Sequence, residues 1–167
     1  MRYVTEFRDG AVAAKLVERI QALSPVKANL MEVCGSHTMA IARTGIKGLL
    51  PEGVSLISGP GCPVCVTPTR TVDEAIELAR TPGVILTTFG DMIRVPGTSS
   101  SLQHEKAVGR DIRVVYSTLD ALRIAEENPD RTVVFLAVGF ETTSPSIACS
   151  VQLAEKKDLD NFLILPA

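Results

Sequence analysis

The sequence predicts an α/β protein built from mainly parallel sheets flanked by helices, and three observations predict it. Short apolar runs rich in β-branched residues recur at 29–33, 54–58, 84–88, 112–116, 132–138 and 162–165. Segments with apolar residues three and four apart lie between several of them, at 10–23, 71–80, 119–128 and 146–156. The strand-like runs read as buried, and their alternation with helices is the pattern of a parallel sheet.

Taken in order, residues 2–9 are charged and lack the apolar stretch of a secretory signal. No run of about 18 apolar residues occurs anywhere. The expected location is therefore cytoplasmic, with no membrane contact. The helix over 10–23 precedes the strand over 29–33, which runs into Cys34-Gly35-Ser36-His37. The strand over 54–58 runs into Gly59-Pro60-Gly61-Cys62-Pro63-Val64-Cys65. Thr71-Val72-Asp73-Glu74 fits a capping box opening the next helix, and Pro82-Gly83 ends it before the strand over 84–88.

That strand leads into Phe89-Gly90-Asp91-Met92-Ile93-Arg94-Val95-Pro96-Gly97, and residues 96–101 read as a flexible surface loop. Pro129-Asp130 closes the helix over 119–128. The strand over 132–138 then leads into Gly139-Phe140-Glu141-Thr142-Thr143. Ser144-Pro145 supplies an N-cap followed by proline at the first helical position. The chain stops at Leu165-Pro166-Ala167, straight after a strand-like run with no helix to cover it, so a truncated chain is expected.

With 46% hydrophobic residues among 167, the chain has material for one core, or for one domain and part of another. Seventeen basic residues face nineteen acidic ones, for a formal charge of −2, and no Lys/Arg cluster stands out. Nucleic acid is excluded as a first expectation, because nothing offers a footprint for a phosphate backbone. Two Tyr, five Phe and no Trp also give little for base stacking.

In parallel sheets, ligands gather beyond the carboxyl ends of the strands, where loops converge with helix N-termini. The unusual residues fall at four such ends, and they are expected to face one rim. Cys62 and Cys65 are two residues apart, a spacing that permits a disulfide ring and equally lets both sulfurs reach one metal. Pro63 stiffens the ring, and Gly59 and Gly61 let the backbone turn tightly beside it. Cys34, with His37 three residues on, reads either as a thiolate favoured by the following helix N-terminus or as a metal ligand.

Asp91 and Arg94 can present an acceptor and a fork-shaped donor to a ligand, or pair with each other. Glu141 can accept a proton or orient a thiol. Cys149 falls on an apolar helical face and reads as core. His104 has no metal-type partner nearby in sequence and reads as exposed. No GxxxxGK[ST] or GxGxxG signature for nucleotides occurs.

Four blocks, Met31-Glu32-Val33-Cys34-Gly35-Ser36-His37-Thr38, the run from Gly59 to Thr67, residues 88–97 and Gly139-Phe140-Glu141-Thr142-Thr143, together resemble the HypD family of [NiFe]-hydrogenase maturation factors. The resemblance spans residues 31–143, with the blocks in the family's order. It departs in one small respect: Ser36 stands where threonine is familiar, which keeps the hydroxyl.

The resemblance implies a scaffold for assembling the Fe(CN)2CO moiety rather than a conventional enzyme. It implies Cys34 as the iron-ligating thiol, Cys62 and Cys65 as the redox pair, and His37, Asp91, Arg94 and Glu141 as groups of the cleft around them. The implied partners are a small HypC-type chaperone, a HypE-type cyanide donor and, indirectly, the hydrogenase large subunit. The family is roughly twice this length and carries a [4Fe-4S] cluster on cysteines absent from this chain. Its two related α/β domains imply a first domain over 1–117 and the truncated start of a second over 118–167. Two other classes fit the same residues: a domain stabilised by zinc on Cys34, His37, Cys62 and Cys65, and a general thiol–disulfide oxidoreductase.

Overall fold

A computed structural model describes residues 5, 8–23 and 25–167. The chain divides into two compact units, one running to Cys62 and the other beginning at Pro63.

In the first unit, helix α1 (Gly10–Ala22) starts where the Asp9 carboxylate accepts the N–H groups of Ala11 and Val12, at 2.9 and 3.1 Å. Strand β1 (Ala28–Glu32), helix α2 (Gly35–Thr44), a 3₁₀ turn over Ile46–Leu49 and strand β2 (Val54–Ser58) follow. β1 and β2 are parallel and in register from Ala28↔Val54 to Glu32↔Ser58. They form one strand–helix–strand unit, so both carboxyl ends lie at the same edge.

None of the described residues of this unit is buried. Leu30 and Met31, adjacent in β1 and so on opposite faces of the sheet, are 54% and 59% exposed. A two-stranded sheet has too few apolar neighbours to make a core, which leaves hydrogen bonds with a large share of the work of fixing the loops at its end.

The second unit contains α3 (Pro63–Val66), α4 (Thr69–Arg80), β3 (Val84–Phe89), a 3₁₀ turn over Gly90–Arg94, α5 (Leu102–Ala107) and β4 (Ile112–Val115). It continues with α6 (Thr118–Glu127), β5 (Thr132–Ala137), a 3₁₀ turn over Glu141–Thr143, α7 (Ser144–Lys156) and β6 (Phe162–Pro166). The strands form a parallel sheet in the order β4-β3-β5-β6. Successive residues Val84 to Thr88 of β3 are all buried, because helices cover both faces. On one face Leu86 and Leu136 meet Val72 and Ile76 of α4, with Met92 and Leu102. On the other, Ile85 and Phe135 meet Ala121, Leu122 and Ala125 of α6, with Phe162.

The α/β class, the parallel pairing and the flanking helices stand as expected, and each of the six strand-like runs is a strand. The strands make two sheets rather than one, since β1 and β2 pair with each other and β3 to β6 pair among themselves. The single rim expected for four strand ends is therefore two rims, one in each unit. Residue 117, at the expected domain boundary, is the N-cap of α6 within the second unit, where its hydroxyl and the Asp120 carboxylate form a capping box.

Local expectations were corrected at four places. Helix α4 begins at Thr69 behind Pro68, without a side-chain cap. No capping box forms at Thr71, which lies inside the helix; Glu74, which would close the box, accepts from Arg70 at 2.8 Å, and the Asp73 carboxylate accepts the Thr98 N–H at 2.7 Å and the Thr98 hydroxyl at 2.6 Å. Those bonds, with Gly97 N–H donating to Ser100 O at 2.8 Å, also make 96–101 a tied turn rather than a flexible loop. Ser144 is the first residue of α7 rather than its cap, with Pro145 still in the first turn. Cys149 is exposed, not core; the buried residue of that stripe is its neighbour Ser150, whose hydroxyl donates to Ile147 O at 2.7 Å. One residue is a turn of about 100° around a helix, enough to exchange the two faces.

Candidate functional site: strand-end thiol loops and a switch-point crevice

β1 ends at Glu32, and the chain turns through Val33 into Cys34, the N-cap of α2. Cys34 is extended, with φ −136° and ψ 124°, and its side chain makes no cap hydrogen bond. The thiol is half-buried. The Glu32 carboxylate holds this turn instead: one oxygen accepts the Cys34 N–H at 3.1 Å and the other accepts the Thr38 hydroxyl. His37, in the first turn of α2, is exposed, and its charge adds to the field that favours the Glu32 carboxylate. Chiefly through the Thr38 bond, and further through those to Cys34 and Ser58, the Glu32 carboxyl sits below the usual carboxylate range.

β2 ends beside it. The Gly59 N–H donates to the Glu32 carbonyl at 2.7 Å. A Cβ at Gly59 would lie 2.6 Å from that same oxygen and about 3 Å from the Met31 side chain, so glycine is what allows the two strand ends to meet. Gly59→Ala is expected to destabilise the first unit by about 1–3 kcal/mol and to speed amide exchange over 54–62. An unchanged exchange profile would show that the backbone yields here without cost. Beyond Gly59, Gly61 takes φ +94°, a conformation open to glycine, and delivers the chain to half-buried Cys62. The loops of Cys34 and Cys62 thus leave one edge of one sheet, tied together through Glu32.

Cys65 lies in the second unit, exposed, within the single turn of α3 that begins at Pro63. Thr67 closes that turn, its N–H and hydroxyl donating to Pro63 O at 3.0 and 2.7 Å.

In the second unit the chain passes from β3 to β4 on one side, then returns to β5 on the other side of β3. The crevice between the carboxyl ends of β3 and β5 is therefore the topological switch point of the sheet. Two predicted segments flank it. The 3₁₀ turn Gly90–Arg94 is anchored by fully buried Met92, which leaves Asp91 and Arg94 exposed. Among the described residues no ion pair joins Asp91 to Arg94. The 3₁₀ turn Glu141–Thr143 presents exposed Glu141. It is closed tightly behind, since a Cβ at Gly139 would lie 2.6–2.8 Å from the Thr143 side chain. His104 is exposed on α5, as expected.

Among the described residues, no group of three or more His, Cys, Asp or Glu side chains is gathered closely enough to hold a metal ion. The residues sequence reasoning missed are Glu32, Thr38 and Ser58. Their signal was a carboxylate two residues before a helix-capping cysteine with a threonine four residues after it. No helix among the described residues is long and apolar enough to cross a membrane.

Fold and site together define a parallel α/β protein that carries thiols at the strand ends of one unit and charged turns at the switch point of the other. A sequence model described as "HypD: Hydrogenase formation hypA family" matches residues 11–167. The "Hydrogenase maturation factor HypD" of Azotobacter vinelandii is 54% identical over 167 residues, covering 98% of this chain and 44% of that protein. Those of Rhizobium leguminosarum bv. viciae and Escherichia coli are 53% and 47% identical over 98% and 97% of the chain. The chain belongs to the HypD family, and it spans less than half the length of the relatives it matches.

Proposed function

We propose that this chain is the thiol-bearing portion of a hydrogenase maturation scaffold on which iron, as cargo, acquires cyanide and carbon monoxide ligands. One observation carries the reading: the parallel pairing of β1 and β2 sends the Cys34 and Cys62 loops out from the same sheet edge, bound to each other through Glu32 and Gly59. Cys34 is the iron-ligating thiolate. Low-spin iron with cyanide and carbonyl ligands is soft and favours sulfur, and a strand-end cysteine that caps no helix group is at liberty to supply it.

Cys62 and Cys65 serve as the redox pair, passing two electrons and two protons to a partner disulfide, which leaves as two thiols, when they close to a disulfide. His37 follows Cys34 in the first turn of α2, while Asp91, Arg94 and Glu141 meet the face of a partner. A small HypC-type chaperone shares the iron, a HypE-type protein donates cyanide, and the product passes to the hydrogenase large subunit, all in the cytoplasm. A four-cysteine cluster does not fit the described residues, among which no three His, Cys, Asp or Glu side chains gather closely enough to hold a metal ion. No observation favours the zinc-domain or general oxidoreductase readings over this one.

The test is Cys34→Ala in the full-length protein copurified with its small partner. The cyanide and carbonyl infrared bands are expected to vanish while the melting temperature stays within about 2 °C, because this half-buried thiol is not core. Bands of wild-type intensity in the variant would take Cys34 out of the mechanism.

A further inference from the structure

Cys34 is the N-cap of α2, yet its side chain does none of the capping. Something else must fix the thiol, since none of the described residues of the first unit is buried. The Glu32 side chain meets two donors from separate places. It accepts the Cys34 N–H itself, at 3.1 Å, and the hydroxyl of Thr38, one turn inside α2. Ser58, the last residue of β2, also favours its charged form. The Glu32 carbonyl takes the Gly59 N–H at 2.7 Å, three residues before Cys62. One residue thereby joins the end of β1, the first turn of α2 and the loop toward Cys62.

From this geometry we infer that Glu32 is a positioning residue for the Cys34 thiol, setting its placement against the loop that carries Cys62. A carboxylate suits the role because its two oxygens offer about four acceptor sites, enough for both donors. Bonds to a charged acceptor are also the stronger kind. Aspartate is one methylene shorter and gives up part of that reach. Glutamine keeps the reach and one acceptor oxygen for the Cys34 N–H, and its amide can donate to the Thr38 hydroxyl, which also accepts. The purpose assigned to the positioning rests on the function proposed above; the positioning itself does not.

Full-length protein carrying Glu32→Ala, Glu32→Asp or Glu32→Gln, purified without iron, tests it through the alkylation rates of Cys34 and Cys149 with iodoacetamide, read peptide by peptide. In Glu32→Ala, Cys34 alkylation is expected to rise by about tenfold or more, the scale of a lost hydrogen bond to a charged group. Cys149, exposed on α7 in the other unit, is expected to keep its rate. Glutamine is expected to restore Cys34 to within about twofold of wild type, and aspartate to fall between alanine and glutamine.

An unchanged Cys34 rate in Glu32→Ala would overturn the inference, as would a rise shared by Cys149 and not rescued by glutamine, which marks general unfolding. Should the rates respond as expected while Cys34→Ala retains its infrared bands, the positioning stands and the iron reading alone falls.

Discussion

Replacing Phe135 by alanine is expected to cost the second unit about 3–5 kcal/mol, the largest loss of any single truncation considered. Phe135 sits in β5, fully buried, paired in register with Thr87 of β3 and Ile164 of β6. Its ring meets that of Phe89 edge to face, with centroids 5.3 Å apart and planes at 84°. Alanine forfeits the transfer energy of the ring, leaves a cavity that strands fixed on both sides close poorly, and removes the aromatic pair, worth about 0.5–1.5 kcal/mol. Phe89 is the last residue of β3, directly before Gly90, so the turn bearing Asp91 and Arg94 loses part of its footing. Urea unfolding followed by far-ultraviolet circular dichroism measures the loss. A change below about 1 kcal/mol would show that the helices on that face close over the gap.

The second large effect is electrostatic. Glu105 is buried, at 5% side-chain exposure, and takes a bidentate grip from Arg80: Nε donates to Oε2 at 3.1 Å and Nη2 to Oε1 at 2.7 Å. The Ser100 hydroxyl donates to Oε1 at 2.6 Å, and Arg80 also reaches Glu77 at 2.7 Å. The node fastens α4, α5 and the turn over 96–101, the segment that follows Asp91 and Arg94. Arg80 first, and Ser100 after it, hold the Glu105 carboxyl down at about 2, against the opposing pull of burial.

A carboxyl lower in the folded protein than in the unfolded chain adds stability above its unfolded value, near 4.5. That stability drains away as pH falls from about 4.5 toward 2. The wild-type melting temperature is therefore expected to drop through that interval. Glu105→Gln is expected to lower the melting temperature by roughly 5–10 °C at pH 7 and to flatten the decline between pH 4.5 and 2. Parallel acid profiles for the two proteins would show that Glu105 carries no folding-linked proton.

Much of this was legible beforehand. The strands over 84–88 and 132–138 announced themselves by continuous runs rich in β-branched residues, since helices on both faces leave little polar side to alternate. The predicted site residues lie at strand ends because the sequence places Gly-rich turns there. What was illegible came from long-range commitments. Residues 71–74 read as a capping box, yet the helix starts two residues earlier, and the Asp73 carboxylate goes to Thr98, 25 positions away. Cys149 looked buried because its neighbours are small and apolar, and only the docking of α7 decides which side of the helix faces the sheet. Helix α2 carries Gly35, Ser36, Thr38 and Thr44, which are weak helix formers. It ends at Gly45, with φ +65°, and its place between two strands is what makes it a helix.

By itself the sequence determined the class, the parallel strands, the family and the positions of Cys34, Cys62, Cys65, Asp91, Arg94 and Glu141, because periodicity and short motifs are local properties. Tertiary structure alone decided that six strands divide between two sheets, that the switch point falls between β3 and β5, and that Glu32 binds the Cys34 loop to Gly59. Strand order and hydrogen bonds across 27 residues follow from which backbones pair, and no local pattern encodes the choice of partner.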